Sequence, residues 1–358
     1  MFAAGSTTKT STAILLLQLN ERGILSLDDS IVKHANPYLN AISNGTSDLL
    51  RLFGPKIQGV TLRQLLQMSA GIQEYDSVYV RTYQNAHRLE DLTPMWIFDN
   101  MDRNFLCDPG TCGGYSSTNY VLLGLVAARY SHARNWDKLN QGSWMDVVPS
   151  SMREKAPGGS FNKMYYGVHG PLSAFTTAVE NQGMHTTLHG YQYVGLGPAV
   201  YGCNTSSDLT YKSCAALDVY TMSSTQGWTC GNLMTTPTSV VDFFWALLGP
   251  YRQRYNLLSD ASFAALLDFK IQPYFSDGPP FGYGLGVMNF TSMSWGFEKH
   301  GLFYGHNGLT YGFGSQSGVN YKYNFSVSWV NSAEVWMGPD ASGEAVYDAL
   351  VRAVAQYR

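Results

Sequence analysis

A serine and a lysine stand three residues apart at the head of the first long apolar segment. Ser6 and Lys9 flank two threonines, an apolar run follows over residues 13–19, and Gly23 is placed to stop a helix. Because residues three apart are neighbours on a helix surface, we expect the hydroxyl and the amine on one face. This spacing would put a nucleophile beside a potential base.

The same spacing recurs twice, at Ser30–Lys33 and at Ser160–Lys163. Ser30 follows an acidic, turn-like stretch and Ser160 follows two glycines, so both pairs are predicted to lie outside such a helix. A surface serine with an unrelated lysine is the simpler interpretation of these two pairs. For Ser6 the spacing alone leaves both interpretations open.

Two later motifs contain further side chains that could take part in catalysis or substrate binding. Tyr115 has a polar residue, Ser117, two positions on, and an apolar helical pattern follows. His306 is followed two positions later by Gly308, within an aromatic and glycine-rich pattern typical of a strand whose backbone is closely approached. The chain therefore carries Ser-x-x-Lys, a tyrosine motif and a basic residue before glycine, in that order.

This order of motifs resembles the serine β-lactamase and penicillin-binding family. The resemblance is greatest to the branch of class C β-lactamases, D-alanyl-D-alanine carboxypeptidases and related serine esterases. Four further stretches resemble the family in the same order, namely residues 25–29, 61–72, 227–249 and 281–286. The resemblance implies an α+β, β-lactamase/transpeptidase-like fold, in which helices flank an antiparallel sheet and a mainly helical lobe is inserted.

The resemblance also implies the site residues. Ser6 would be the nucleophile, with Lys9 and Tyr115 as catalytic partners, and which of the two takes the proton stays open. The implied substrate-binding and oxyanion positions are Ser117, His306, Gly308 and Leu309. His306 would hydrogen-bond Tyr115 or a substrate carboxylate. No cofactor is implied.

Three departures from the family pattern stand out. Ser117 replaces the usual asparagine, and its shorter hydroxyl should penalise amide substrates more than esters. Met68 stands where the family usually has histidine. Only five residues precede Ser6, where the family normally has a helix and several strands, so we expect that Met1 is not the true start.

The function predicted from these residues is a serine hydrolase that acts on esters, small amides or peptides through an acyl-enzyme. Two alternatives remain open at this point. One is a non-catalytic binding protein that keeps the fold and the cleft. The other is a penicillin-binding or β-lactamase activity proper. The sequence does not indicate an oligomeric state.

The chain is expected to form two lobes. Residues 1–45 and 250–358 would supply the nucleophile helix, the late strands and a closing helix, whereas residues 46–249 would be mainly helical. Within the second lobe, residues 156–228 are rich in glycine and tyrosine and would form an insertion. Such an insertion could shape substrate choice or be a plain surface excursion.

Composition excludes several partners. Charged residues make up 14% of the chain and the net charge is −3, so there is no basic patch for nucleic acid. No segment offers twenty consecutive apolar residues, and no membrane span is predicted. His185 and His189 have helical spacing but lack the glutamate of a zinc-protease motif, so we predict no metal site. The expected partner is a small-molecule substrate.

Five cysteines bear on the compartment. Cys107 with Cys112, and Cys203 with Cys214, could each close a short loop as a disulfide, which would leave Cys230 unpaired. Disulfides favour a secreted or extracytoplasmic protein, whereas five free thiols would suit the cytosol.

Overall fold

A computed structural model describes most of the chain. The described residues are 1–149, 152, 163–172, 191–195, 214–225, 227–275, 278–293, 296–310, 312–332 and 341–356, without the side chains of 191–195, 214–218, 341 and 342. Their helices are α1 (Thr8–Glu21), α2 (Ile31–Ile42), α3 (Leu49–Phe53), α4 (Leu62–Leu66), α5 (Val78–Ala86), α6 (Pro94–Asp99), α7 (Ser117–Tyr130), α8 (Pro237–Leu248), α9 (Asp260–Leu266) and α10 (Ala341–Gln356). Their strands are β1 (Phe2–Ala3), β2 (Met164–Tyr166), β3 (Tyr191–Gly195), β4 (Cys214–Asp218), β5 (Leu233–Thr235), β6 (Gly282–Tyr283), β7 (Met288–Asn289), β8 (Phe303–Thr310), β9 (Phe313–Asn320) and β10 (Phe325–Asn331).

The largest sheet is an antiparallel meander of β6 to β10 in chain order. Strand β9 is buried at every position, because β8 and β10 flank it and helices cover the sheet. Helix α8 packs against β9 and β10, and Tyr347 of α10 stacks on Phe303 of β8 with ring centroids 4.6 Å apart. The predicted late strands and the closing helix are confirmed.

Helix α1 lies in the middle of the molecule. Residues 2–19 are all buried except Ser6. A helix that is apolar on most sides must be enclosed by other elements. The hydroxyl of Thr10 donates to the Gly286 carbonyl and that of Thr12 to the Thr229 carbonyl, each at 2.7 Å. These two bonds tie α1 to distant parts of the chain on different sides.

A second, three-stranded sheet fixes the backbone just before the turn that carries Ser6. It has the order β1-β5-β2, and both pairings are antiparallel. The Ala4 N–H donates to the Leu233 carbonyl at 2.8 Å, immediately before the chain turns into α1. The backbone just upstream of Ser6 is therefore fixed by strand pairing.

Helix α7 is the centre of the helical packing, in contact with α1, α2 and α4. The predicted apolar helix after Tyr115 is thus confirmed. The division into two lobes stays a prediction, and much of the predicted insertion at 156–228 lies outside the described residues. Strands β3 and β4 within it pair antiparallel.

One of the two predicted disulfides is confirmed. Cys107 and Cys112 are bonded, and Cys230 is buried with a free thiol. Cys203 lies outside the described residues, so its pairing with Cys214 stays a prediction. Among the helices that the structure describes, none is long and apolar enough to cross a membrane.

Candidate active site

Ser6 lies in the turn that leads into α1. Thr7 occupies the N-cap position, and the Ser6 carbonyl accepts the Lys9 N–H at 2.9 Å. Ser6 is partly exposed while its neighbours on both sides are buried. Ser6 is therefore the one partly exposed residue of the otherwise buried segment 2–19.

The Lys9 amino group lies within hydrogen-bond distance of the Ser6 hydroxyl. Lys9 Nζ donates to Ser6 Oγ at 2.7 Å and to the Cys230 carbonyl at 3.1 Å. The side chain is fully buried, and this desolvation lowers the pKa of Lys9, against the opposing influence of Glu74 and Asp76. The predicted serine–lysine pair is present, with an amine whose neutral form is favoured by burial.

Tyr115 lies on the other side of Lys9. Lys9 Nζ is 5.0 Å from the centre of the Tyr115 ring. Burial raises the pKa of Tyr115 well above its usual value, and the nearby Ser6 hydroxyl acts in the opposite direction. Its own hydroxyl is buried without a well-formed hydrogen bond within the described part of the chain. A buried polar atom left in this state is available to a ligand.

Ser117 is the first residue of α7, and its contact involves a residue that the sequence analysis missed. The Ser117 N–H donates to Glu74 Oε2 at 2.7 Å, and the other carboxylate oxygen accepts the Asp76 N–H at 3.1 Å. Burial raises the pKa of Glu74, with the neighbouring Asp76 as the next cause. The available signal was an acidic residue three positions after Gly71, two residues beyond the family-like stretch 61–72.

His306 bonds to a different tyrosine from Tyr115, and its alternative partner, a substrate carboxylate, stays a prediction. Its Nδ1 donates to the Asn307 carbonyl at 2.6 Å, so Nε2 is left to accept the Tyr283 hydroxyl at 3.0 Å. The ring is buried, and this burial, with the Lys9 charge second, lowers the pKa of His306 to about 3. His306 is therefore neutral and bonded to Tyr283 instead of Tyr115, although the two rings are only 6.4 Å apart.

Strand β8 approaches the turn that carries Ser6 very closely at two glycines. A Cβ on Gly308 would lie 1.9 Å from the Ala4 carbonyl oxygen, and a Cβ on Gly5 would lie 2.9 Å from the Leu309 nitrogen. Gly5 also has a φ of +51°, which other residues adopt only under strain. The backbone of β8 at Leu309 is thus brought beside Ser6 only because both positions lack a side chain.

Replacing Gly5 by alanine is expected to separate β8 from the turn that carries Ser6. The new methyl group would clash with the Leu309 backbone, and the alanine would have to adopt a left-handed φ. Together these two effects should lower the free energy of unfolding by about 1–3 kcal/mol. Thermal unfolding checks the stability. Gly23→Ala is the matched control, because Gly23 has a φ of +67° but nothing lies within 4 Å of an added Cβ. An equal loss of stability in both variants would contradict the close approach of β8 to Gly5.

The structure also separates the rival motifs. Ser30 is the N-cap of α2, where its hydroxyl accepts the Val32 N–H, and Lys33 pairs with Asp29 at 2.9 Å. The Ser30 pair is therefore a helix cap with an exposed ion pair. Ser160 lies outside the described residues, as do His185 and His189.

Similar proteins agree with this fold. The Beta-lactamase family matches residues 1–350. The D-stereospecific amidohydrolase from Streptomyces sp. has a TM-score of 0.65 at 22% identity, over 96% of this chain and 84% of that one. The D-amino acid amidase from Ochrobactrum anthropi SV3, complexed with L-phenylalanine amide, has a TM-score of 0.63 at 18% identity, over 99% and 83%.

A curated relative matches a shorter region. Protein flp of Staphylococcus aureus (strain NCTC 8325 / PS 47) is 27% identical over 144 residues, which are 40% of this chain and 26% of that protein. The match thus spans about a quarter of the relative's length. The family match covers nearly the whole chain and is far broader than this one. Together with the structural likeness, it shows that the chain belongs to the Beta-lactamase family and has the serine β-lactamase/transpeptidase fold.

Proposed function

We propose that this chain is a serine hydrolase that cleaves small esters, amides or peptides through an acyl-enzyme. The observation that carries the proposal is the 2.7 Å hydrogen bond between Lys9 Nζ and Ser6 Oγ, at the one partly exposed position in the otherwise buried segment 2–19. A hydroxyl bonded to a buried amine is the arrangement expected of an activated nucleophile.

In the proposed acylation step, Ser6 Oγ forms a bond to the substrate carbonyl carbon and the carbonyl electron pair moves onto its oxygen. The Ser6 proton passes to Lys9. The bond to the leaving group then breaks, and the leaving group receives a proton. Water then attacks the acyl carbon and gives a proton to Ser6 Oγ as the bond between that carbon and Oγ breaks. The carboxylic acid leaves, and Ser6 regains its hydroxyl.

The two candidate bases differ in what burial does to them. Burial lowers the pKa of Lys9 and raises that of Tyr115, so it favours an uncharged amine and an uncharged phenol. An uncharged amine can accept the serine proton, and an uncharged phenol can donate to the leaving group. We therefore assign Lys9 as the base and Tyr115 as the proton donor. The Lys9 ammonium then passes the serine proton to the Tyr115 phenolate, so both groups return to their uncharged forms.

The N–H groups of Ser6 and Leu309 are proposed as the oxyanion hole. The tight approach of Gly5 to the Leu309 nitrogen supports this assignment. Loss of one such donor typically costs about 100- to 1000-fold in rate. His306 is proposed to position Tyr115 indirectly. It accepts a hydrogen bond from the Tyr283 hydroxyl, and the Tyr283 ring packs edge-on against Tyr115 with ring centroids 5.8 Å apart.

Substrate choice is the finer part of the proposal. Ser117 offers one hydroxyl donor where a carboxamide would offer two, which favours esters. Two structurally similar proteins are named as amidases or amidohydrolases, so amino-acid amides belong in the test set. A neutral His306 would hold a substrate carboxylate less firmly than a lysine would, which argues against peptides with a free carboxyl end.

The test is turnover of a chromogenic acetate ester, of D- and L-phenylalanine amide, and of a chromogenic cephalosporin by the purified chain. We expect ester hydrolysis to be fastest. Absence of turnover on every substrate, with no covalent labelling of Ser6, would support the non-catalytic binding protein instead. A stable penicillin adduct on Ser6, seen by mass spectrometry, would instead assign penicillin-binding activity.

Glu74→Gln is expected to change the pH dependence. The Glu74 carboxylate raises the pKa of Lys9, so its removal should lower that pKa further. Because the base must be neutral, the ascending limb of the kcat/KM profile should move to lower pH. Glu90→Gln, at an exposed carboxylate bonded to Tyr83, is the control. A limb that stays in place or moves upward in Glu74→Gln would contradict the assignment of Lys9.

We also propose that the protein works in an oxidising compartment, as a secreted or extracytoplasmic enzyme. The Cys107–Cys112 disulfide supports this location. Thiol labelling of protein taken directly from its source cells should leave both cysteines unmodified. Labelling of both under those conditions would contradict the location.

A further inference from the structure

Met68 is held in an unusual position beside the Tyr115 motif. It follows α4 and the capping residue Gln67, is fully buried, and has a φ of +64°, in the left-handed region. Residues other than glycine rarely adopt this conformation, and a long unbranched side chain gains nothing from it locally. The surrounding contacts of Met68 must therefore account for it.

These contacts bracket Tyr115 on both sides. The Met68 carbonyl accepts the Gly114 N–H at 3.0 Å. Its sulfur accepts the Ser116 N–H at 3.4 Å and the Asn119 side-chain amide at 3.6 Å. One residue thus holds the backbone immediately before and immediately after the tyrosine, and also the first turn of α7.

Water cannot replace the sulfur at this place. Ser116 and Asn119 are each about 1% exposed. A buried N–H that loses its partner pays the full cost of its desolvation, so the local backbone would move to find another acceptor. Any such movement would displace Tyr115, which lies between Gly114 and Ser116 in the chain.

We propose that Met68 is a positioning residue, whose sulfur holds the Tyr115 hydroxyl in place beside Ser6 and Lys9 by accepting the Ser116 and Asn119 hydrogen bonds. This inference rests on the proposed function for its catalytic consequence, but its structural part stands separately. Met68 makes no contact with substrate in this role, and it acts through Tyr115.

The kinetic test is Met68→Leu, which nearly conserves volume and removes the acceptor. A misplacement of about 1 Å at a reacting group can cost about 100-fold in rate, so we expect kcat to fall about 10- to 100-fold. KM should change less than about threefold, because a group that acts in the transition state and not in binding is displaced. Met101→Leu, at another buried methionine after α6, should leave both constants unchanged.

Met68→His provides the rescue. Histidine Nδ1 is the same number of bonds from the backbone as methionine Sδ, and histidine tolerates a left-handed φ better than most residues. We expect Met68→His to recover most of the kcat lost in Met68→Leu. A histidine variant as slow as the leucine variant would mean that packing and not hydrogen bonding sets the rate, and would overturn the proposal.

Amide hydrogen exchange gives a second readout that needs no turnover. In Met68→Leu, the Ser116 N–H should exchange at least about tenfold faster than in the parent, whereas the Gly114 N–H, bonded to the Met68 carbonyl, should keep its rate. Unchanged protection of Ser116 would overturn the proposal even if the parent protein hydrolyses no substrate. Loss of Ser116 protection with unchanged kcat would overturn its catalytic part, and would leave the proposed hydrolase function intact.

Discussion

Replacing Ser6 by alanine is expected to lower kcat for ester hydrolysis by about 10⁴-fold or more, because no acyl-enzyme can form without the hydroxyl. The variant should fold normally, since Ser6 is partly exposed and Thr7, not Ser6, is the N-cap of α1. Steady-state turnover with thermal unfolding measured on the same preparation checks both statements.

The matched control is Ser30→Ala, because Ser30 also precedes a lysine by three residues. Ser30 caps α2, so this change should cost about 1 kcal/mol of stability and no activity. Retained turnover in Ser6→Ala, or lost turnover in a folded Ser30→Ala, would reverse the choice between the two motifs.

Replacing Lys9 by methionine is the second large effect. Methionine keeps much of the buried length and apolar stem, but it cannot take the Ser6 proton that Lys9 is placed to accept at 2.7 Å. We expect kcat/KM to fall about 10²- to 10⁴-fold, the usual contribution of a general base. The stability should change by less than about 2 kcal/mol, because the buried amine is removed together with its desolvation cost.

The pH profile separates Lys9 from Tyr115 as the base. In Lys9→Met the residual activity should lose the ascending limb that belongs to the amine. Lys33→Met, at an exposed lysine of the rival motif, should keep the parent profile. An unchanged ascending limb in Lys9→Met would assign the proton to Tyr115 instead.

The sequence was sufficient for the parts of the fold that depend on local pattern. The apolar run after Ser6 is enclosed as α1, the alternating segment around Val327 is β10, and the pattern after Tyr115 is α7. In each case the apolar run or alternation is visible in the sequence itself and predicts the element without tertiary information. The order of the three motifs then indicated which of these elements meet.

The remaining details of the site depend on tertiary packing that no local pattern encodes. Glu74 reaches the first turn of α7 from a separate loop, and the sulfur of Met68 serves as an acceptor only because two buried donors face it. His306 bonds to Tyr283 because β6 and β8 lie in one sheet, with β7 between them. The family pattern predicts a histidine at this position, but the choice of its partner is made by the sheet.

The measurement that tests the central claim most directly is covalent labelling of the native chain with a fluorophosphonate, followed by intact-mass analysis and peptide mapping. Because the buried Lys9 amine bonds the partly exposed Ser6 hydroxyl, we expect a single adduct per chain, on Ser6. In Lys9→Met this adduct should not form. An adduct on any other residue, or ester turnover that persists with Ser6 unlabelled, would contradict the account.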